Sequence, residues 1–145
     1  MQEYPGKKAA DQYLAQRIQG ATPEQVAAML LEGSQRFLTL TLQAMGSRDR
    51  PSQARYLART SDIIFGLKER LNHEEGGEVV DNLVRIYDWW MEELFDGAKN
   101  NQPERLQRIL NQMGEFKGTW EELHRRKTAG GPSTTAPGAL DGLSV

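Results

Sequence analysis

The sequence predicts an all-α protein: an antiparallel up-down four-helix bundle with a short N-terminal helix and a disordered C-terminal tail. Three observations carry this. Four segments of about 20 to 25 residues place apolar side chains at spacings of three and four, the period of a one-faced helix. The links between segments are short, and short links between long helices force antiparallel neighbours. No stretch alternates apolar and polar residues as a half-buried strand would.

The first segment opens at Gly20-Ala21-Thr22-Pro23-Glu24-Gln25. Thr22 suits the N-cap, Pro23 the first helical position, and Gln25 completes a capping box. Val26, Leu30, Phe37 and Leu40 form one apolar stripe, and Ala27, Leu31, Leu38, Leu42 and Met45 a second beside it. Two adjacent stripes predict a helix covered over a wide arc, ending near Gly46 to Arg50. The second segment starts at Pro51 and carries Ala54, Leu57, Ala58, Ile64, Phe65, Leu67 and Leu71. Gly76-Gly77 marks a turn. The third segment carries Val80, Leu83, Val84, Tyr87, Trp90, Met91, Leu94 and Ala98. The fourth opens at Gln102-Pro103-Glu104, read as a cap followed by Pro, and carries Leu106, Ile109, Leu110, Met113, Phe116, Trp120 and Leu123. Helices of this size are roughly 30 to 38 Å long.

Outside them, residues 1–20 read as a mobile segment with a short helix at 9–19, suggested by Ala10, Tyr13, Leu14 and Ile18. Residues 21–127 form the bundle. Residues 128–145, rich in Gly, Pro, Ser and Thr without period, read as disordered tail.

The 145 residues amount to one domain, long enough to bury a core without disulfides. A net charge of −2 does not point to nucleic acid. The absence of cysteine excludes disulfides and thiolate metal sites and fits a reducing compartment. No apolar run approaches a membrane span, and the N-terminus lacks a signal peptide's apolar core. A cytoplasmic protein that does not insert into membranes is the expectation. Charge is divided between segments: 48–71 holds six Lys and Arg against three acids, and 78–96 holds one Arg against six acids. Opposite signs on consecutive antiparallel helices favour that pairing; two independently solvated faces are the plainer alternative.

Sites for chemistry are sparse. His73 falls in a predicted loop and His124 near a helix end. Four-helix bundles include histidine phosphotransfer domains, but their phosphoacceptor lies mid-helix, unlike His124. Glu121 and His124 make one Glu-x-x-His pair of a di-metal bundle, without the second pair such a site needs. No GK[ST] follows Gly76-Gly77, so that pair is no phosphate loop. No enzymatic activity and no cofactor are expected. Tyr87, Trp89, Trp90, Phe95, Phe116 and Trp120 gather on segments three and four. Core packing accounts for most of them. Trp89, about 100° around the helix from Trp90, is the candidate for an apolar surface that accepts a peptide, as is the wide stripe of segment one. Gly114 and Gly118 each cost ~1 kcal/mol against alanine mid-helix, which suggests a close approach by a neighbouring helix or a partner.

Local patterns add a family resemblance. Tyr13, then Ala21-Thr22-Pro23-Glu24-Gln25, Met29-Leu30-Leu31-Glu32-Gly33 and Phe37-Leu38, resemble the opening of flagellin export chaperones, with their "TASPE"-like cap and "MLYDGA…FL"-like helix. Gly76-Gly77-Glu78-Val79-Val80-Asp81-Asn82-Leu83 with Ile86-Tyr87-Asp88-Trp89-Trp90 resembles that family's "GGEIAxNLxxLYDYM". Trp120 stands at the place of a near-terminal Trp. The chain departs from the pattern at Leu31, where an aromatic is usual, and at Trp89-Trp90, where Tyr-Met is commoner.

The resemblance implies a cytoplasmic chaperone that binds the disordered C-terminal segment of flagellin, prevents premature polymerisation and delivers it to the type III export apparatus, whose gate components are further partners. It implies no cofactor or nucleotide. The candidate partner-binding residues are Tyr13, Leu30, Leu31, Phe37 and Leu38 from the opening motif, Ile64 from segment two, Tyr87, Trp89 and Trp90 from the middle motif, and Trp120. The Tyr13 stretch is expected to act as a movable cover that the client displaces. A generic helical interaction module with another client and a histidine phosphotransfer bundle are the alternatives.

Overall fold

The computed structural model describes residues 20–129, which form four helices: α1 (Pro23–Gly46), α2 (Arg50–Glu69), α3 (His73–Lys99) and α4 (Pro103–Thr128). Tyr13, the short helix expected at 9–19 and the tail beyond Ala129 lie outside the described residues. The helices run up and down in a ring, each packed on its neighbours in sequence, with α1 also against α4. α1 packs closely on α2 and α4, and α3 sits more loosely against the other two. Among the described residues no helix is long and apolar enough to cross a membrane.

Local chemistry sets the helix ends. Thr22 Oγ1 accepts from the Gln25 N–H at 3.1 Å, and Gln25 Oε1 accepts from the Thr22 N–H at 3.0 Å, completing the capping box. Such a cap stabilises a helix by about 1 kcal/mol. α1 does not stop at its glycine. It continues through Gly46 and terminates where Arg48 takes φ 57°, with the Asp49 N–H bonded to Ala44 O and the Arg48 N–H to Met45 O. That is a Schellman ending with arginine in the left-handed position that glycine usually fills. α3 ends the same way at Asn101, φ 53°, through Gln102 N–H to Gly97 O and Asn101 N–H to Ala98 O.

Asp49 Oδ1 caps α2 through the Ser52 N–H at 3.2 Å. Gly77 interrupts α3 with φ 54° and ψ −132°, a conformation open to glycine alone, so one turn from His73 precedes the long helical run. Gln102 precedes α4 but makes no side-chain cap bond; its Oε1 accepts from Arg105 Nη1 instead.

The core centres on Leu31, Leu38, Ile64, Trp90, Leu94 and Leu106, all without solvent exposure. Burying a side chain of this size contributes roughly 1.5–3 kcal/mol. Ser34, Thr41 and Thr60 are buried among them. Each hydroxyl donates to a carbonyl of the preceding turn, Leu31 O, Phe37 O and Tyr56 O, which removes the cost of an unpaired polar group. Tyr87, Trp90 and Phe116 form an aromatic cluster joining α3 to α4, with Trp90 and Phe116 centroids 5.0 Å apart.

Candidate partner-binding surface

The structure sorts the ten residues singled out from the sequence. Leu31, Leu38, Ile64, Tyr87, Trp90 and Trp120 are buried, because their helical positions all point into the bundle. Burial pushes the Tyr87 hydroxyl well above the usual tyrosine range, more strongly than its hydrogen bond with Trp120 lowers it. Leu30 and Phe37 are half-buried. Trp89 is exposed, and its position turns it outward from the Tyr87–Trp90–Leu94 face. Tyr13 lies outside the described residues. In this conformation Leu30, Phe37 and Trp89 are therefore the ones among the described nine with surface to offer.

Two of the three large apolar side chains exposed among the described residues, Phe65 and Phe95, lie along the seam between α2 and α3. Asp88 and Met91 face α2: Lys68 Nζ meets Asp88 Oδ1 at 2.7 Å, and Ser61 Oγ meets Met91 Sδ at 3.7 Å. Spacing of three and four from these contacts puts Val84 and Phe95 on the same stripe of α3, and Ala54, Ala58 and Phe65 on the matching stripe of α2. Phe65 is 52% exposed and Phe95 49%. Two phenylalanines held half in water on facing helices, where the packing is loosest, form an unfinished helix–helix interface. The residue pattern contained the clue: Phe65 falls beside Ile64 and off the stripe Leu57, Thr60, Ile64, Leu67, Leu71 that fills the core.

The other flank of α3 is closed. The Arg105 guanidinium grips Glu93 through Nε to Oε1 at 3.1 Å and Nη2 to Oε2 at 2.7 Å. This bond holds the Glu93 carboxyl below the usual carboxylate range. Gly97 lets α4 come close: a Cβ there would stand 2.7 Å from Leu106 Cδ1 and 3.1 Å from Arg105 Cβ.

Of the two glycines in α4, Gly114 has Gln35 of α1 beside it, and Gly118 has nothing within 4 Å of where a Cβ would stand. At the end of the bundle, Thr22 Oγ1 is hydrogen-bonded to His124 Nδ1 at 3.0 Å, and Lys127 Nζ meets the buried Glu24 carboxylate at 2.7 Å. These contacts clasp the start of α1 to the end of α4. Among the described residues, no three His, Cys, Asp or Glu side chains converge where a metal could be held.

Comparison with known proteins places the chain in a family. The family described as flagellar protein FliS matches residues 6–127. The flagellar secretion chaperone FliS of Vibrio cholerae is 26% identical over 107 residues, covering 74% of this chain and 79% of its own length. The flagellar secretion chaperone FliSB of Pseudomonas aeruginosa is 27% identical over 120 residues, covering 80% and 95%. FliS of Campylobacter jejuni is 27% identical over 107 residues, covering 74% and 84%. With the family match spanning most of its length and a four-helix ring as its fold, the chain belongs to the FliS family of flagellar proteins.

Proposed function

We propose that this chain is a cytoplasmic export chaperone whose client is the C-terminal segment of flagellin, held along the α2–α3 seam until the export apparatus or the growing filament takes it. The observation that supports this most directly is the pair Phe65 and Phe95, exposed on facing stripes where the helices are least tightly packed. A client segment that is disordered when free has an apolar face with no partner. Laid into the seam as a helix, that face removes both phenylalanines from water, at about 25 cal/mol per Å² of apolar area. Ordering the segment consumes part of this gain, so binding is reversible. Release then needs no nucleotide: a competing surface in the export gate or the filament displaces the client by mass action. Occupying the polymerising face of flagellin is what delays premature assembly.

Residues 1–19 act in this reading as a cover over apolar surface, with Tyr13, Leu14 and Ile18 as its apolar residues. The chain enters α1 beside Pro23 and Ala27, which with Leu67, Leu71, Tyr87, Trp120 and one charged residue, Arg70, line a small cavity of about 20 Å³.

The test is a fluorescence titration of the three tryptophans with the C-terminal segment of the host's own flagellin. Saturable binding supports the reading, and removing residues 1–19 raises affinity or promotes self-association. No binding of the flagellin segment, with binding of another flagellar protein, transfers the chaperone role to a different client.

A further inference from the structure

On the opposite flank of α2 lies a surface of different chemistry. Phe37 and Leu40 of α1 and Tyr56 of α2 line a cavity of about 250 Å³, whose remaining walls are Arg55 and Arg59. The Phe37 and Tyr56 rings stack with centroids 6.4 Å apart. The Arg55 guanidinium lies over the Tyr56 ring, 5.3 Å from its centroid, and donates to Ser52 Oγ. Leu40 also belongs to a second, shallower concavity of about 550 Å³, formed with Gln35, Arg36, Thr39, Leu110 and Glu32. The two meet at Leu40, so a trough with Phe37, Leu40, Tyr56 and Leu110 as its apolar residues crosses the outer face of α1, walled by Arg36, Arg55 and Arg59 against the single carboxylate of Glu32. Arg36 and Arg55 are exposed; Asp49, whose carboxyl is held low first by its hydrogen bonds with Ser52, also feels the Arg55 charge.

We propose that this trough docks an acidic helical segment of a partner protein, one apolar side chain of that segment entering the Phe37–Leu40–Tyr56 cavity and its carboxylates meeting Arg36 and Arg55. Each part of this assignment has a physical ground. A space of about 250 Å³ falls below the usual range for small-molecule and cofactor sites and suits one large side chain. Tyrosine and arginine around a pocket are the composition of interface hot spots. An arginine held over an aromatic ring still offers its planar fork of N–H groups to a carboxylate. A protein of net charge −2 disfavours a long polyanion such as nucleic acid, while a short acidic stretch can meet this local patch of arginines. Tyr56 and Phe65 lie on opposite sides of α2, nine positions apart, so such a partner and the proposed client can be held at once.

The probe is a fluorescein-labelled amphipathic peptide in which Glu and Ala surround a Leu–Trp pair one turn apart, compared with a twin carrying Lys for every Glu. The full chain binds the acidic peptide and not its twin, and the affinity falls as salt rises. Arg55→Glu, on an exposed side chain, weakens binding about tenfold or more while thermal unfolding is unchanged. Tyr56→Ala weakens it by a comparable factor. Titration with the flagellin segment is unaffected by Arg55→Glu, which separates this trough from the α2–α3 seam. The proposal is overturned if both peptides bind alike or if Arg55→Glu leaves the acidic peptide bound. It is equally overturned if a single-stranded oligonucleotide displaces the peptide at equal charge, or if sedimentation shows a dimer that Arg55→Glu dissociates, which makes a second copy the occupant.

Discussion

The indole Nε1 of Trp90 donates a 2.8 Å hydrogen bond to Oε1 of Gln112, so a fully buried side chain of α3 has its one polar atom satisfied by α4. A large aromatic can sit at the centre of the bundle only because that N–H has a partner.

Gln112→Ala should destabilise the fold by about 1–3 kcal/mol, the cost of an unpaired buried donor. Trp90→Ala, which leaves a cavity, should cost about 3–5 kcal/mol. Urea unfolding measures both. A neutral Gln112→Ala would mean that water reaches the indole.

Two glycines should respond to alanine with opposite signs. At Gly118 the new methyl meets open space, so the helix gains about 0.5–1 kcal/mol. At Gly97 the methyl collides with Leu106 and Arg105, and overpacking of about 1–3 kcal/mol outweighs the ~1 kcal/mol gained in helix propensity. A melting temperature that rises for both variants would show that α3 and α4 separate easily there.

The Arg105–Glu93 bond predicts a pH dependence. The Glu93 carboxyl titrates lower in the folded chain than in the unfolded one, chiefly because Arg105 hydrogen-bonds the charged form. Its contribution is therefore complete above the unfolded carboxylate pKa and is lost as pH falls through the folded value. Between about pH 5 and pH 3, the parent should lose stability more steeply than Glu93→Gln. Parallel curves for the two proteins would remove the bond from the account.

The seam reading predicts a separation of binding from stability. Phe65→Ser with Phe95→Ser should weaken capture of the flagellin segment by a factor of about ten or more, with the melting temperature near that of the parent, since both rings are about half in water. Trp89→Ala should weaken binding less and likewise spare the fold. A large fall in melting temperature for the phenylalanine pair would assign those rings to the core.

The four helices were legible because their punctuation is local: Thr22-Pro23-Glu24-Gln25 is a capping box in both sequence and structure, and Gly76-Gly77 breaks the chain where a positive φ is needed. Caps that depend on the fold were not. Arg48 occupies the left-handed position two residues beyond Gly46, since the Asp49 cap of α2 and the Schellman bonds together set where the turn falls. Gln102 turns to Arg105, which Glu93 of another helix also holds. The surface was harder still. Periodicity marks apolar residues without saying which stripe meets a neighbour, so Leu31, Leu38 and Ile64 drew attention while the exposed pair lay one position away from the core stripes, at Phe65 and Phe95.

The clasp of Thr22 to His124 and of Glu24 to Lys127 brings the two ends of the described chain together. Whatever precedes Gly20 and whatever follows Ala129 leaves from a single pole, each at high effective concentration for the other. A group attached just before Gly20 thus stands close to one attached just after Ala129. A circularly permuted gene, with its old ends joined by a flexible linker and new ones cut between Gly46 and Arg50, should encode the same bundle.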